Sequence, residues 1–276
     1  MLIKKAKSYG FCFGVKRAVE IAQNSQNAVT LGPLIHNPLE IKRLAKNYNV
    51  NYVNNIEQID GNIKRVIVRT HGIPKENYEK LKSKNIEIID ATCPFVKKPQ
   101  EIVEEMSKKG YDIVIFGDIN HPEIKGVKSY CSHKRCYVVL SLDELEKVKL
   151  REKIATVAQT TRKIDDYLKI TDYLIKNYKE VRVFNTICNA TFENQLAVKE
   201  LSKQADIMII VGGKNSSNTK QLFNIAKEFC EAYLVENENE LKKEWFSNKN
   251  LCGISAGAST PEWLVEKIIS KIKELT

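Results

Sequence analysis

The sequence predicts an α/β protein whose parallel sheets, covered by helices, recur three times along the chain. Short β-branched runs alternate with amphipathic helical stretches from one end to the other, the pattern of strands joined by crossover helices. Cys12, Cys93 and Cys188 each open the same succession of a helical stretch, an apolar run ending in glycine, and a polar loop. Self-similarity at a long, regular period marks repeated structural units.

The elements follow in order. A first unit, 1-90, holds the helix VKRAVEIAQNS, the run AVTLG, the strand RVIVRT, the helix PKENYEKLKSK and the strand IEIID. A second, 91-186, holds the helix VKKPQEIVEEMSKK, the strands YDIVIFG, CYVVL and IATVA, the helix RKIDDYLKITDYLIKNY and the strand EVRVF. The third, 187-276, holds ENQLAVKELSKQ, DIMIIVGG, NTKQLFNIAKEFCEAY, AYLVE, LCGISA and PEWLVEKIISKIKE. The unit boundaries are expected at the loops DATCP and NTICN, which carry the second and third cysteines.

Composition bounds the function. With 43% apolar and 28% charged residues the chain reads as an ordinary globular protein. No run reaches the ~20 apolar residues that span a bilayer, and no apolar leader follows the N-terminal lysines, so a cytoplasmic protein without membrane contact is expected. Seven cysteines at irregular spacing argue against a disulfide framework and toward metal or catalytic use. The net charge of +10 suits an anionic ligand. The lysines are interleaved with glutamates at helical spacing and no aromatic-basic stripe accompanies them, which disfavours nucleic acid.

The polar loops lie where ligands gather in α/β sheets, beyond the strand carboxyl ends. His36, His121 and Ser216 fall 24, 28 and 28 residues past their cysteines, and His71, Thr160 and Ser259 fall 59, 67 and 71 past. VGGKNSSNT offers Ser216, Ser217 and Asn218 at the start of a helix, and AGAST repeats the logic with Ser259. Helix amino ends present free N–H groups to anions; the plainer reading of any one such loop is N-capping. Glu123, in HPE, is the one carboxylate within a rim motif. It suits proton delivery or, more simply, the first turn of a helix. Cys230 and Cys252 read as small buried apolar residues. Cys131 and Cys136, in CSHKRC with His133, have the form of half a zinc site, but no matching ligand pair exists. Three loop cysteines at equivalent positions suit a soft metal centre, either zinc or iron–sulfur.

GFCFGVKRA, GPLIHNP, RTHGIP, DATCP, HPEIKG, AQTT, TICNAT, VGGKNSSNT and GISAGASTP run in order from residue 10 to 261. Together they resemble the LytB family of hydroxymethylbutenyl diphosphate reductases over essentially the whole chain. The resemblance implies a trefoil of three α/β units around a 4Fe–4S cluster, with Cys12, Cys93 and Cys188 as ligands and one iron open. It also implies reductive dehydroxylation of an allylic diphosphate to isopentenyl and dimethylallyl diphosphates, the last step of the methylerythritol phosphate route. His36, His71, His121, Ser216, Ser217, Asn218 and Ser259 would bind the diphosphate, Glu123 would supply a proton, and Thr160 would orient the substrate hydroxyl. Two positions depart from the family pattern: Asn185, where aspartate is usual, and Asn194, where arginine commonly precedes glutamine.

No dinucleotide-binding glycine motif is present, so a ferredoxin or flavodoxin type donor is implied, acting on a monomer. Two rival readings use the same residues. A zinc-dependent phosphohydrolase would be colourless and contain zinc. A basic nucleic-acid-binding module would show salt-dependent affinity for nucleic acid.

Overall fold

A computed structural model describes Met1–Thr276. The chain opens with β1 (Leu2–Lys5), α1 (Phe13–Asn24), β2 (Val29–Leu31), α2 (Pro38–Tyr48), β3 (Asn51–Val53), β4 (Arg65–Val68), α3 (Lys75–Lys82) and β5 (Glu87–Asp90). It continues through α4 (Pro94–Lys108), β6 (Asp112–Phe116), α5 (Pro122–Ser129), β7 (Cys136–Val139), α6 (Leu142–Glu146), β8 (Lys153–Ala158), α7 (Ile164–Asn177) and β9 (Glu180–Val183). It ends with α8 (Asn189–Ser202), β10 (Ile207–Val211), α9 (Ser217–Lys227), β11 (Glu231–Val235), β12 (Leu251–Ala256) and α10 (Glu262–Leu275).

The strands form three four-stranded sheets, ordered β5-β4-β2-β3, β9-β8-β6-β7 and β1-β12-β10-β11. Every pairing is parallel. The three orders are the same once the chain ends are joined, because β1 holds in its sheet the edge place that β5 and β9 hold in theirs. Each edge strand of this kind runs into a cysteine: β5 into Cys93, β9 into Cys188, and β1 into Cys12. The sheet closed by Cys12 is therefore the one built from the C-terminal strands.

By compactness the chain divides into two units. One comprises Met1–Lys16, Ile35–Arg43 and Asn189–Thr276, and the other Arg17–Leu34 and Leu44–Cys188. In the first, β10 is buried at every position, as expected for a parallel strand covered on both faces. Its alternation sends Ile207, Ile209 and Val211 toward Leu264, Val265, Ile268 and Ile272 of α10. Met208 and Ile210 go the other way, toward Val198 and Leu201 of α8 and Leu222 of α9.

In the second unit, β6 does the same. Ile113 and Ile115 pack on Val103 and Met106 of α4 and on Ile124 of α5. Val114 and Phe116 pack on Tyr167, Ile170 and Leu174 of α7. Val66 and Val68 of β4 meet Leu81 of α3 in a third cluster. Each such fully buried aliphatic side chain contributes about 1.5–3 kcal/mol relative to exposure, and these clusters hold the strand ends that carry the polar loops.

The long helix expected over NTKQLFNIAKEFCEAY stops at Lys227, and Glu231 onward is strand. Pairing of β11 with β10, with Ile207 opposite Glu231, overrides the local helical periodicity. The short helices α5 and α6, of 8 and 5 residues, offered too few turns for a periodic signal. No helix is long and apolar enough to cross a membrane.

Candidate functional site

The three cysteines occupy one structural position three times. Cys93 is the N-cap of α4, Cys12 immediately precedes α1, and Cys188 immediately precedes α8. Each donates its backbone N–H to a carbonyl in the loop after the neighbouring strand: Cys12 to Ala258 at 3.1 Å, Cys93 to Thr70 at 3.0 Å, Cys188 to Thr160 at 2.9 Å. Those carbonyls belong to the loops that carry Ser259, His71 and Thr160. The threefold recurrence of the cysteines thus reappears as one strand-end hydrogen bond repeated in all three sheets, each cysteine meeting a loop other than the one counted forward from it in the sequence. None of the three cysteines is in a disulfide, and all are partly exposed.

In the unit containing Cys12, Ser216 caps α9, its hydroxyl accepting the Thr219 N–H at 3.2 Å. Ser217 is the first residue of that helix. Asn218 is 4% exposed, yet neither its amide nitrogen nor its amide oxygen has a hydrogen-bond partner. Both Gly213 and Gly257 are needed for this packing. A Cβ on Gly213 would lie 2.4 Å from the His36 carbonyl oxygen, and one on Gly257 would lie 2.1 Å from the Thr219 hydroxyl. The His36 carbonyl also accepts the Ser259 hydroxyl at 3.3 Å, so the loops bearing His36, Ser216–Asn218 and Ser259 are in mutual contact. Asn37 caps α2 through the Glu40 N–H at 3.0 Å. Buried Glu40 pairs with Arg43 and accepts from the Trp263 indole.

The unit containing Cys93 and Cys188 places His71, His121, Glu123 and Thr160. The rings of His71 and His121 meet edge to face, centroids 5.5 Å apart. His71 Nδ1 lies 3.3 Å from the Thr70 hydroxyl, which itself donates to the Leu34 carbonyl at 2.7 Å. His121 caps α5, its Nδ1 accepting the Glu123 N–H at 3.2 Å, and Pro122 takes the first helical position as proline favours. Because Nδ1 accepts, the neutral ring carries its proton on Nε2.

Glu123 is 1% exposed. Its Oε1 accepts the Thr160 N–H and its Oε2 the Thr160 hydroxyl, both at 2.7 Å. Burial pushes the carboxyl above the ordinary range, although the two Thr160 bonds and the Arg162 charge oppose the rise. This is not the solvated first-turn carboxylate that compensates a helix dipole; it is a buried acid aimed at one partner.

Three further residues escaped the sequence reading. Thr70 orients His71 as described. Thr219 is fully buried and its hydroxyl lacks a partner. Arg162, two residues past Thr160, has an unpartnered buried Nε; its repulsion of protons from Glu123 is electrostatic. The glycines beside Thr219 were the available signal for the second, since paired glycines report close backbone approach.

CSHKRC, which has the form of half a zinc site but lacks a matching ligand pair, is held by local hydrogen bonds. Both nitrogens of His133 are engaged, Nδ1 by the Arg135 N–H at 3.2 Å and Nε2 with the Tyr111 carbonyl at 3.0 Å. Cys252 is fully buried, as expected; Cys230, expected to be buried, is instead partly exposed and packs against the α8–α9 cluster. Asn194 is buried and accepts the Ser8 hydroxyl, while Asn185 accepts the Ile187 N–H at 3.2 Å. Both departures from the family pattern are thus locally satisfied.

The family model described as LytB protein matches residues 3–273. The chain is 82% identical to the 4-hydroxy-3-methylbut-2-enyl diphosphate reductase of Nautilia profundicola, over 100% of both chains. It is 63% identical to the enzyme of the same name from Campylobacter fetus, over 100% of this chain and 99% of that one. Among solved structures, an (E)-4-hydroxy-3-methyl-but-2-enyl diphosphate reductase, the terminal enzyme of the non-mevalonate pathway, aligns with TM-score 0.72 at 42% identity, covering 99% of this chain and 100% of its own. The E-1-hydroxy-2-methyl-but-2-enyl-4-diphosphate reductase of Plasmodium falciparum aligns with TM-score 0.91 at 28% identity, covering 98% and 87%.

Proposed function

This chain belongs to the LytB protein family, and we propose that it is a 4-hydroxy-3-methylbut-2-enyl diphosphate reductase. The reaction removes the allylic hydroxyl with two electrons and two protons, releasing water and leaving isopentenyl and dimethylallyl diphosphates. One proton goes to the departing oxygen and the other to carbon. The observation that carries the reading is the buried Glu123 carboxyl bound through both oxygens to Thr160.

Cys12, Cys93 and Cys188 would hold the 4Fe–4S cluster. The donor set fits, since such clusters are held by cysteine thiolates: the three cysteines are partly exposed and outside any disulfide, and each is anchored by its N–H at the start of a helix. When bound, the cluster supplies the electrons and a Lewis-acidic iron for the departing oxygen.

The remaining residues bind, orient and protonate. Ser216, Ser217 and Asn218 stand at the amino end of α9, where backbone N–H groups and the helix dipole favour an oxyanion. Leaving a buried polar group unsatisfied costs about 1–3 kcal/mol, so a diphosphate oxygen accepting from the Asn218 amide nitrogen recovers that cost for the nitrogen on binding. His36, His71, His121 and Ser259 complete the proposed diphosphate contacts, His121 through its Nε2–H. Holding the non-reacting end in this way places the allylic hydroxyl for reaction.

Glu123 is raised toward the protonated form that a general acid needs. When protonated, its O–H donates to Thr160 Oγ1, whose own hydrogen then points onward to the substrate hydroxyl. Transfer along this pair delivers one proton as the C–O bond breaks. The burial of both groups keeps water from short-circuiting the transfer.

The three-unit division 1-90, 91-186 and 187-276 is supported by one repeated sheet order, with β1 exchanged into the third sheet. The reading takes the protein as cytoplasmic and monomeric, served by a ferredoxin or flavodoxin type donor. Anaerobic purification followed by iron and sulfide analysis, with product assay under a reduced flavodoxin, tests it. Brown protein yielding both five-carbon diphosphates is expected. Colourless protein containing zinc, or release of inorganic phosphate instead, would overturn it.

A further inference from the structure

We propose that Glu40 and Trp263 are positioning residues for the diphosphate end of the substrate, their hydrogen bond fixing the spacing of the loops that carry His36 and Ser259. The inference rests on the assignment of those two residues to the diphosphate. Both segments belong to the unit comprising Met1–Lys16, Ile35–Arg43 and Asn189–Thr276.

Glu40 stands in the first turn of α2, where a glutamate ordinarily stays in water or reaches back to the capping residue. Here it is 1% exposed. Arg43, one turn on, grips both of its oxygens, Nε donating to Oε2 at 2.9 Å and Nη2 to Oε1 at 2.6 Å. That bidentate pair satisfies the charge within α2 alone. The third bond reaches outside the helix: the indole N–H of Trp263, the second residue of α10, donates to Oε2 at 3.2 Å.

This bond is the second of two rungs. Ser259 meets His36, and Trp263 meets Glu40, across the same separation of 223 residues, so the two segments run alongside each other. The first rung is the Ser259 hydroxyl on the His36 carbonyl at 3.3 Å, and that hydroxyl has one proton to donate. A diphosphate oxygen that accepts it opens the first rung. The second rung uses no group assigned to the substrate, so it keeps the loops at one spacing while Ser259 changes partner. Leu39 and Trp263 also pack against the α10 and β10 cluster, a contact that a phenylalanine at 263 would largely retain.

The test is calorimetric titration of the anaerobic, metal-loaded protein with inorganic pyrophosphate, with thermal melting alongside. Trp263→Phe keeps an aromatic ring and loses the donor. Glu40→Ala removes the same rung from the other side and keeps the backbone N–H that Asn37 caps. Each should weaken pyrophosphate binding at least about fivefold, within the range of coupling inside one hydrogen-bond network. Should one variant fail to fold, the other decides. Trp263→Phe combined with Ser259→Ala should weaken binding by less than the product of the separate factors, because part of what the rung positions is already gone. A rung that only stabilises the fold would lower the melting temperature and leave affinity unchanged. Wild-type affinity in the folded single variants, or separate factors that simply multiply, would overturn the proposal. Failure of the wild-type protein itself to bind pyrophosphate would instead sink the diphosphate assignment, and the positioning role with it.

Discussion

Thr160 occupies both oxygens of Glu123, through its N–H and its hydroxyl, each at 2.7 Å. The backbone bond persists whatever side chain stands at 160, whereas the hydroxyl bond does not. Thr160→Val should therefore keep the fold and the placement of Glu123 but break the relay. Turnover should fall by roughly 10²-fold or more, the scale of lost acid–base help, while Thr160→Ser should restore most of it. Steady-state assay of the pair decides the matter; normal turnover in Thr160→Val with loss in Thr160→Ser would mean that the threonine methyl, not the hydroxyl, matters.

The raised Glu123 carboxyl has a defined pH signature. Its folded value lies above the unfolded one, so its contribution to stability is complete below the ordinary glutamate value of about 4.3. That contribution is lost as pH rises through the raised folded value. Turnover should decline over the same rise, because the acid form is consumed. Glu123→Gln should flatten this part of the unfolding free energy against pH, measured by urea denaturation between pH 4 and 8.

Asn218 has two unpartnered amide atoms in a buried side chain. Asn218→Leu should cost little stability, since no hydrogen bond is lost in the ligand-free protein. Binding of inorganic pyrophosphate should weaken by about 10-fold or more, following the ~1.5–3 kcal/mol of a hydrogen bond to a charged group. Calorimetric titration reads the affinity and thermal melting reads the stability. A large drop in melting temperature with unchanged affinity would contradict the assignment.

Far from these loops, Asp112 at the head of β6 is fully buried and accepts from Arg135, from the Arg151 side chain and from the Arg151 N–H. Burial would raise its carboxyl, but the Arg151 bonds, aided by Arg135, hold it below the ordinary range. Its stabilisation is present above the unfolded value and is lost as pH falls through the lower folded one. Both guanidinium groups reach solvent, which screens the pair. Asp112→Asn should cost about 1–2 kcal/mol at pH 7 and less near pH 3, as denaturant melts at the two pH values will show.

Much of this architecture was legible in the sequence, because parallel strands covered on both faces are unbroken apolar runs. DIVIF and IMIIV could be little else. The threefold recurrence of the cysteines also corresponds to a real equivalence, since each cysteine N–H is tied to a strand-end loop, Cys93 to that of His71, Cys188 to that of Thr160 and Cys12 to that of Ser259. What stayed hidden was non-local. Nothing near Leu2–Lys5 says that it completes the C-terminal sheet beside Leu251–Ile254. Likewise, 37 residues separate Glu123 from Thr160, so HPE reads equally well as a capped helix start. Burial, which decides between a solvated carboxylate and a buried acid, is a property of the packed chain alone.

Whether Glu123 delivers the proton to the departing hydroxyl through Thr160 is read by single-turnover assay of Glu123→Gln. Glutamine keeps the shape and can still meet Thr160, but has no proton to transfer. Turnover should fall by ~10²–10⁴-fold, while iron content and pyrophosphate affinity stay at wild-type levels. Normal turnover in this variant, or loss of pyrophosphate affinity in step with activity, would contradict the account.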